Sequence, residues 1–448
     1  MFWKAESSVS IHPLLNKKQF ARRRKRVLAA LGEQAVAIIP AASERLRNRD
    51  THFPFRQASD FRYLTGFDEP DAFLVLAPKH ELGASILFVR PRDAAREQWD
   101  GRRAGVEGAL KLYGVDQAFT LDELDAKLPE LLAGREQIYA PLGEDVLFAQ
   151  RLFGWLGAVR RLQRSGVKAP SAWLDSAPVL HEMRLFKDED ELRVLREACR
   201  LSAEGHRRVM QACRPGVAEY QLEAELLHTF RQHGGEPAFP SIVAGGQNAC
   251  ILHYTENRDT LRKGELVLVD AGCEWGGYCG DISRTLPVGG RFSSAQRDLY
   301  AVVLAAQQAA MDAVRLGASF DAPHQAAVQV LTEGLVDLQL LKGKVSKLIE
   351  KEAYKRFYMH RTGHWLGMDT HDVGTYKVDG EWRALEPGMV LTVEPGLYID
   401  AGRDVPKAYR NIGIRIEDDV LVTREGHEVL TAAAPKSTEA LEELVPHE

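Results

Sequence analysis

Two rhythms of apolar residues alternate along the chain. Short unbroken runs at residues 36–40, 73–77 and 85–89 predict buried strands, and a three-and-four spacing over 121–133 predicts a helix. This mixture fills residues 1–178 in the manner of an α/β domain. Near its start, Lys17, Lys18, Arg22, Arg23, Arg24, Lys25 and Arg26 crowd together. With Phe20, Val27 and Leu28 supplying an apolar side, the run reads as the solvated face of a terminal helix rather than a nucleic-acid patch. Breakers at Ser165-Gly166 and Lys168-Ala169-Pro170 then announce a boundary, placed at 178/179.

Beyond the boundary the pattern is strongly helical. Residues 188–212 form one amphipathic period, stopped by Arg214-Pro215-Gly216, and 218–233 form a second. Strand-like text follows from 241 to 288. The same order then repeats: helices at 294–315 and 322–338, the first opened by a Ser293/Gln296 capping box, then strand-like text over 389–423. Two similar halves facing each other would enclose a cleft.

The acidic residues are split between those halves. Asp270 closes the apolar run 265–270, and Asp281 opens the next strand. Gly276-Gly277 lies between them, so the two acids are expected side by side on a hairpin. Glu394 closes 389–394, and Glu417 closes 413–417. Buried carboxylates repel one another unless a cation sits among them. His364, in Gly363-His364-Trp365-Leu366-Gly367, adds an imidazole with room around it. An oxygen-rich set with one nitrogen suits two divalent ions such as Mn²⁺, Co²⁺ or Zn²⁺ better than one structural zinc. Any one of the five is a weak signal, because a strand-end acid is commonly a cap and a lone histidine is commonly packed. Together, spaced 11, 83, 30 and 23 residues apart, they point to a dinuclear hydrolase whose nucleophile is a hydroxide held between the ions.

Composition removes other classes. The 448 residues carry 58 basic and 63 acidic side chains, a net charge of −5, which argues against nucleic acid as a partner. Hydrophobic residues make up 45%, yet no apolar run approaches the ~20 residues of a membrane helix. Cys199, Cys213, Cys250, Cys273 and Cys279 are odd in number and contain no CxxC pair. They read as small buried residues in a reducing cytoplasm. The opening Met1-Phe2-Trp3-Lys4-Ala5-Glu6 lacks the pattern of a secretion signal, so a cytoplasmic location is expected.

Several strings carry a family resemblance. They are Asp270-Ala-Gly, Gly280-Asp-Ile-Ser-Arg-Thr, Gly363-His-Trp-Leu-Gly, His371-Asp-Val-Gly, Leu385-Glu-Pro-Gly-Met-Val-Leu-Thr-Val-Glu394-Pro-Gly-Leu-Tyr-Ile and Ile412-Gly-Ile-Arg-Ile-Glu417-Asp. They resemble the pita-bread metallopeptidases, and within them the aminopeptidase P, or Xaa-Pro aminopeptidase, group. Tyr63-Leu-Thr-Gly-Phe, Trp99-Asp-Gly-Arg-Arg and His181-Glu-Met-Arg-Leu-Phe-Lys extend the likeness over nearly the whole chain.

The resemblance implies an α+β architecture. A pita-bread (creatinase/aminopeptidase) catalytic domain with pseudo-twofold halves spans 179–448, after a smaller α/β domain over 1–178. It implies two divalent ions, usually Mn²⁺, on Asp270, Asp281, His364, Glu394 and Glu417. The implied reaction is release of an N-terminal residue that precedes proline, by a homo-oligomer, dimer or tetramer. His253 would line the substrate pocket, with His360 as a further candidate. His371 would contact the scissile carbonyl, Arg415 and Tyr398 would form a polar relay, and Glu394 would also move the proton. Blander roles exist for three of these: Arg415 as a cross-strand partner, Tyr398 as a core tyrosine, His253 as a turn cap. One departure stands out: Arg361 follows His360 where the family often has glycine, which bears on loop shape and substrate preference.

A prolidase, which cuts only Xaa-Pro dipeptides, would share the five ligands. The short interval 376–384 before Leu385 favours the aminopeptidase. Creatinase, which uses no metal, and non-catalytic histone-chaperone modules are disfavoured because all five ligands are retained.

Overall fold

The computed structural model describes residues 16–447. They form two compact units that divide between His181 and Glu182. The opening residues Met1 to Glu6 lie outside the described part.

The first unit is built on a mixed six-stranded sheet. Its order is Gln117–Thr120, Ser85–Val89, Phe73–Leu76, Ala35–Pro40, Gln137–Ala140 and Ala172–Asp175. Val36, Ile38, Val75, Ile86, Phe88 and Ile138 pack there against Leu128, Leu132, Leu152 and Trp155 of two helices. The helix expected over 121–133 begins as a 3₁₀ turn, Leu121–Glu123, and continues as Leu124–Leu132.

The basic run is helical, Lys17–Leu31, opened by an Asn16/Gln19 capping box. Its solvated-face reading needs correction, because Arg23 and Arg24 are buried. Arg23 donates to the Tyr63 carbonyl at 3.1 Å, and Arg24 donates to Leu64 at 2.8 Å and Gly114 at 2.6 Å. These carbonyls close the helices Ser59–Thr65 and Gly105–Tyr113. Helix C-termini leave orphan acceptors that favour a cation, and a guanidinium supplies enough donors to serve two at once.

In the second unit Asp188 caps the long helix Glu189–Ala212, with Glu191 closing the box, and Glu219–Gln232 lies against it. An antiparallel sheet follows, in the order Ile242–Gly245, Leu266–Ala271, Ile282–Pro287. The second round places helices Ser294–Asp312 and Ala322–Asp337 before Val390–Val393, Asp418–Val422 and His427–Val429. The pair Gly396–Ile399 and Ile412–Arg415 completes it. One apolar cluster runs from Leu201 and Phe230 in the first half to Leu391, Ile414 and Val420 in the second. Among the described residues no disulfide links the five cysteines, and four of them are buried. Among the described residues no helix is long and apolar enough to cross a membrane.

The expected hairpin between Asp270 and Asp281 has a different build. Gly276 and Gly277, both at positive φ, turn a smaller hairpin of Cys273–Trp275 with Tyr278–Cys279. Asp270 and Asp281 still meet, because Asp270 is opposite Ser283 and Ala271 opposite Ile282.

His206 shows how the helix layer grips that sheet. Its Nε2 lies 3.0 Å from the Ala271 carbonyl, inside the core. Burial lowers its pKa from 6.5 to about 4, against the pull of that hydrogen bond. Between those two pH values the unfolded chain binds a proton that the folded chain refuses. Stability is therefore expected to fall as pH drops through this window, by about 3 kcal/mol from this group. His206→Gln should flatten the decline in melting temperature between about pH 6.5 and about pH 4; equal slopes in both proteins would refute the assignment.

Candidate metal centre

Each half delivers its acids from strand ends. Asp281 sits at the bend before Ile282–Pro287, and its N–H donates to Asp419 Oδ2 at 2.9 Å. Glu417 lies between the strands Ile412–Arg415 and Asp418–Val422. Its N–H donates to the Ser283 carbonyl at 3.1 Å, and its carboxylate accepts Ser283 Oγ–H at 2.8 Å. Glu394 follows Val390–Val393 and donates its N–H to the Thr362 carbonyl at 2.8 Å.

The histidine loop is zipped to the same strand. His364 donates its N–H to Thr392 Oγ1 at 3.1 Å, and its carbonyl accepts the Thr392 N–H at 2.9 Å. A Cβ on Gly363 would stand 2.0 Å from the Thr392 carbonyl, so only glycine allows this approach. His364 Nδ1 faces the Trp365 carbonyl at 3.0 Å, which selects the tautomer with a free Nε2 lone pair. Nε2 lies 3.5 Å from Asp281 and 3.6 Å from Glu394. Asp281, His364 and Glu417 each offer a donor atom, all within 4.8 Å of one another.

Electrostatics says what this cluster lacks. Burial, then Asp270, Asp419 and Glu394, pushes Asp281 well above the usual carboxylate range. Burial, then Asp281 and Glu394, does the same to Glu417. Glu394 is also raised by burial, with His364 and Arg415 opposing. The Oδ1 atoms of Asp270 and Asp281 are buried without a hydrogen-bond partner among the described residues. Crowded acids, orphan oxygens and an aimed imidazole lone pair fit divalent cations.

A second chain of groups borders the acids. Arg415 donates to Asp270 at 2.5 Å, to Ser283 Oγ at 2.8 Å and to the Tyr398 oxygen at 2.9 Å. Burial alone would lower its pKa, but Tyr398, Asp270 and Glu417 raise it on balance. His360 Nδ1 meets the Arg361 carbonyl at 2.7 Å, so Nε2 accepts Tyr398 O–H at 2.8 Å. Burial, then Arg415, lowers His360 to about 3, which keeps it neutral. The His371 ring stands edge-on to His364 with centroids 4.3 Å apart, and burial followed by His364 lowers its pKa. His253 is exposed and adds to the lowering of both His360 and His371.

All ten candidate side chains thus gather in one place. Sequence reasoning missed three supports. Asp419 holds the Asp281 backbone, and Ser283 bridges Arg415 and Glu417. Asp372 anchors the His371 segment, taking Arg184 at 2.6 Å and Lys187 at 3.0 Å. The run Glu417-Asp418-Asp419 was the available signal. Arg361 pairs with Asp321 and lies 4.6 Å over the Trp382 ring, so its side chain braces the loop where glycine would leave it free.

Comparison with known proteins identifies the family. A model of metallopeptidase family M24 matches residues 193–424, and one of the aminopeptidase P N-terminal domain matches residues 20–139. The chain belongs to metallopeptidase family M24. The Xaa-Pro aminopeptidases of Escherichia coli (strain K12) and Haemophilus influenzae are each 45% identical to it, over 96% of this chain and 98% of theirs. The solved structure of Pseudomonas aeruginosa aminopeptidase PepP matches with a TM-score of 0.95 at 50% identity, over 97% of this chain and 98% of that one. Zinc-substituted E. coli aminopeptidase P in complex with product matches at 0.93 and 45% identity, over 96% and 98%. This M24 chain is accordingly a metal-dependent peptidase, with a pita-bread catalytic domain and an aminopeptidase P type N-terminal domain.

Proposed function

We propose that this peptidase releases the N-terminal residue from peptides with proline in second position. The convergence of Asp270, Asp281, His364, Glu394 and Glu417 carries the reading, since only a cation-holding site explains five such groups together. The Xaa-Pro aminopeptidase relatives favour it over a prolidase. Those five side chains would hold two divalent ions, Mn²⁺ in our reading, and the bound ions supply a water of lowered pKa and polarise the scissile carbonyl. Zinc occupies a related structure by substitution, and Co²⁺ has the same donor preference. The enzyme acts, in this reading, as a cytoplasmic homo-oligomer, dimer or tetramer.

The chain's own groups then divide the work. Glu394 takes the proton of the attacking water and passes it to the proline nitrogen, a leaving group with no N–H of its own. His371, neutral and on the open side of His364, donates its N–H to the carbonyl oxygen as charge develops there. Arg415 anchors Asp270 and orients the Tyr398 hydroxyl toward His360, which with His253 forms the wall that receives the substrate.

The test is a pair of substrates. An Xaa-Pro-Xaa tripeptide should be cut in the presence of Mn²⁺, and a chelator should remove at least about 99% of the rate, restored by the metal. Faster turnover of an Xaa-Pro dipeptide would instead establish the prolidase.

A further inference from the structure

Glu219 is fully buried, yet the reaction makes no use of it. It opens the helix Glu219–Gln232, and its carboxylate accepts four hydrogen bonds. Oε1 takes the Gly245 N–H at 2.7 Å and Asn248 Nδ2 at 3.0 Å. Oε2 takes the Tyr254 hydroxyl and the Asp259 N–H, both at 2.8 Å. All four donors belong to the single stretch 245–259, which also carries His253.

Part of that stretch borders open space. A cavity of about 750 Å³ is lined by Gly245, Gly246, Gln247 and Asp259 of this stretch together with Arg410 and Ile412. At the edge of that space the bonds to Glu219 tie the backbone at Gly245 and Asp259, while Asn257 fastens the middle of the stretch to Val243 and Ser241. The hold matters to the site because Tyr254, next to His253, shares one apolar cluster with Ala249, Leu268 and Tyr398. A shift of the stretch therefore displaces His253, the substrate-facing residue that the stretch carries.

We propose that Glu219 is a positioning residue that fixes the His253-bearing stretch 245–259 for peptide binding. This deepens the Xaa-Pro aminopeptidase reading and rests on it. A carboxylate is needed, because an amide would turn one N–H₂ toward two donors.

The test is a mutant cycle with metal-loaded protein and an Xaa-Pro-Xaa tripeptide. Glu219→Gln should raise KM about tenfold with kcat within about threefold, and leave bound metal at the wild-type level. Tyr254→Phe, which removes one donor, should raise KM about two- to fivefold. In a His253→Ala background neither change should raise KM further, since both act through that imidazole. Hydrogen exchange of the 245–259 amides should quicken about tenfold in Glu219→Gln, with 360–371 unchanged. Undiminished KM effects in the His253→Ala background, or unaltered exchange, would overturn the proposal. If Glu219→Gln fails to fold, Tyr254→Phe carries both the cycle and the exchange measurement. A wild type inactive on all Xaa-Pro peptides counts against the functional reading, and the exchange comparison then decides the case of Glu219.

Discussion

Asp281→Asn is expected to give a folded protein whose kcat/KM falls by about three orders of magnitude or more. Bound metal, measured by elemental analysis, should fall below that of the wild type. The change removes one of the three donors that lie within 4.8 Å of one another, and keeps the shape of the side chain. The same variant should melt higher than metal-free wild type at neutral pH. Asp281 sits buried beside Asp270, Asp419 and Glu394, and its Oδ1 has no hydrogen-bond partner among the described residues. Replacing a crowded charge by an amide that can donate to its neighbours should add about 1–3 kcal/mol. Calorimetry of the two metal-free proteins reads this directly. Near-normal activity in Asp281→Asn would mean that the cluster is not the seat of catalysis.

Asp418→Ala should be among the most damaging substitutions for stability. Asp418 Oδ1 accepts Arg284 and Thr431, each at 2.8 Å, and Oδ2 accepts Lys436 at 2.7 Å and Gln307 at 2.9 Å. Burial would raise its pKa, but Arg284 and Lys436 bring it below the usual carboxylate value. Both Arg284 and Asp418 are inaccessible to solvent. Removing the acid strands the guanidinium, at a cost of about 3–5 kcal/mol. The catalytic unit should therefore melt about 6–20 °C lower. Asp418→Asn, which keeps one acceptor, should lose less. A shift under about 2 °C in the alanine variant would show that water reaches Arg284 after all.

Much of this was legible in the order of residues. A single acid at a strand end says little, but several of them with one imidazole are hard to satisfy without a cation, so Asp270, Asp281 and Glu394 were legible as members of a set. The Ser293 capping box and the helical period from 188 marked two helix starts within a residue. Less legible was anything decided by partners far along the chain. Arg23 and Arg24 look like surface residues until the helix ends at Leu64 and Gly114 are seen to need donors. Within the run Glu417-Asp418-Asp419 only Glu417 was assigned, because the roles of the other two depend on where one strand stops. The strand closes at Arg415 and another opens at Asp418. Alternation then sends Asp418 toward Arg284 and Asp419 toward Asp281, with Glu417 left at the bend. Gly276-Gly277 misled for a similar reason: a turn identifies itself, but not which strands it joins.

The two halves are sewn to each other at the bonds Glu417 N–H to Ser283, Arg284 to Asp418 and Asp281 N–H to Asp419. Resemblance in form is thus not independence. A single copy of the motif would own two of the four acids and one end of a buried ion pair. Cut apart, each half would leave its acids and its end of that pair without partners, so the centre exists only where the halves meet.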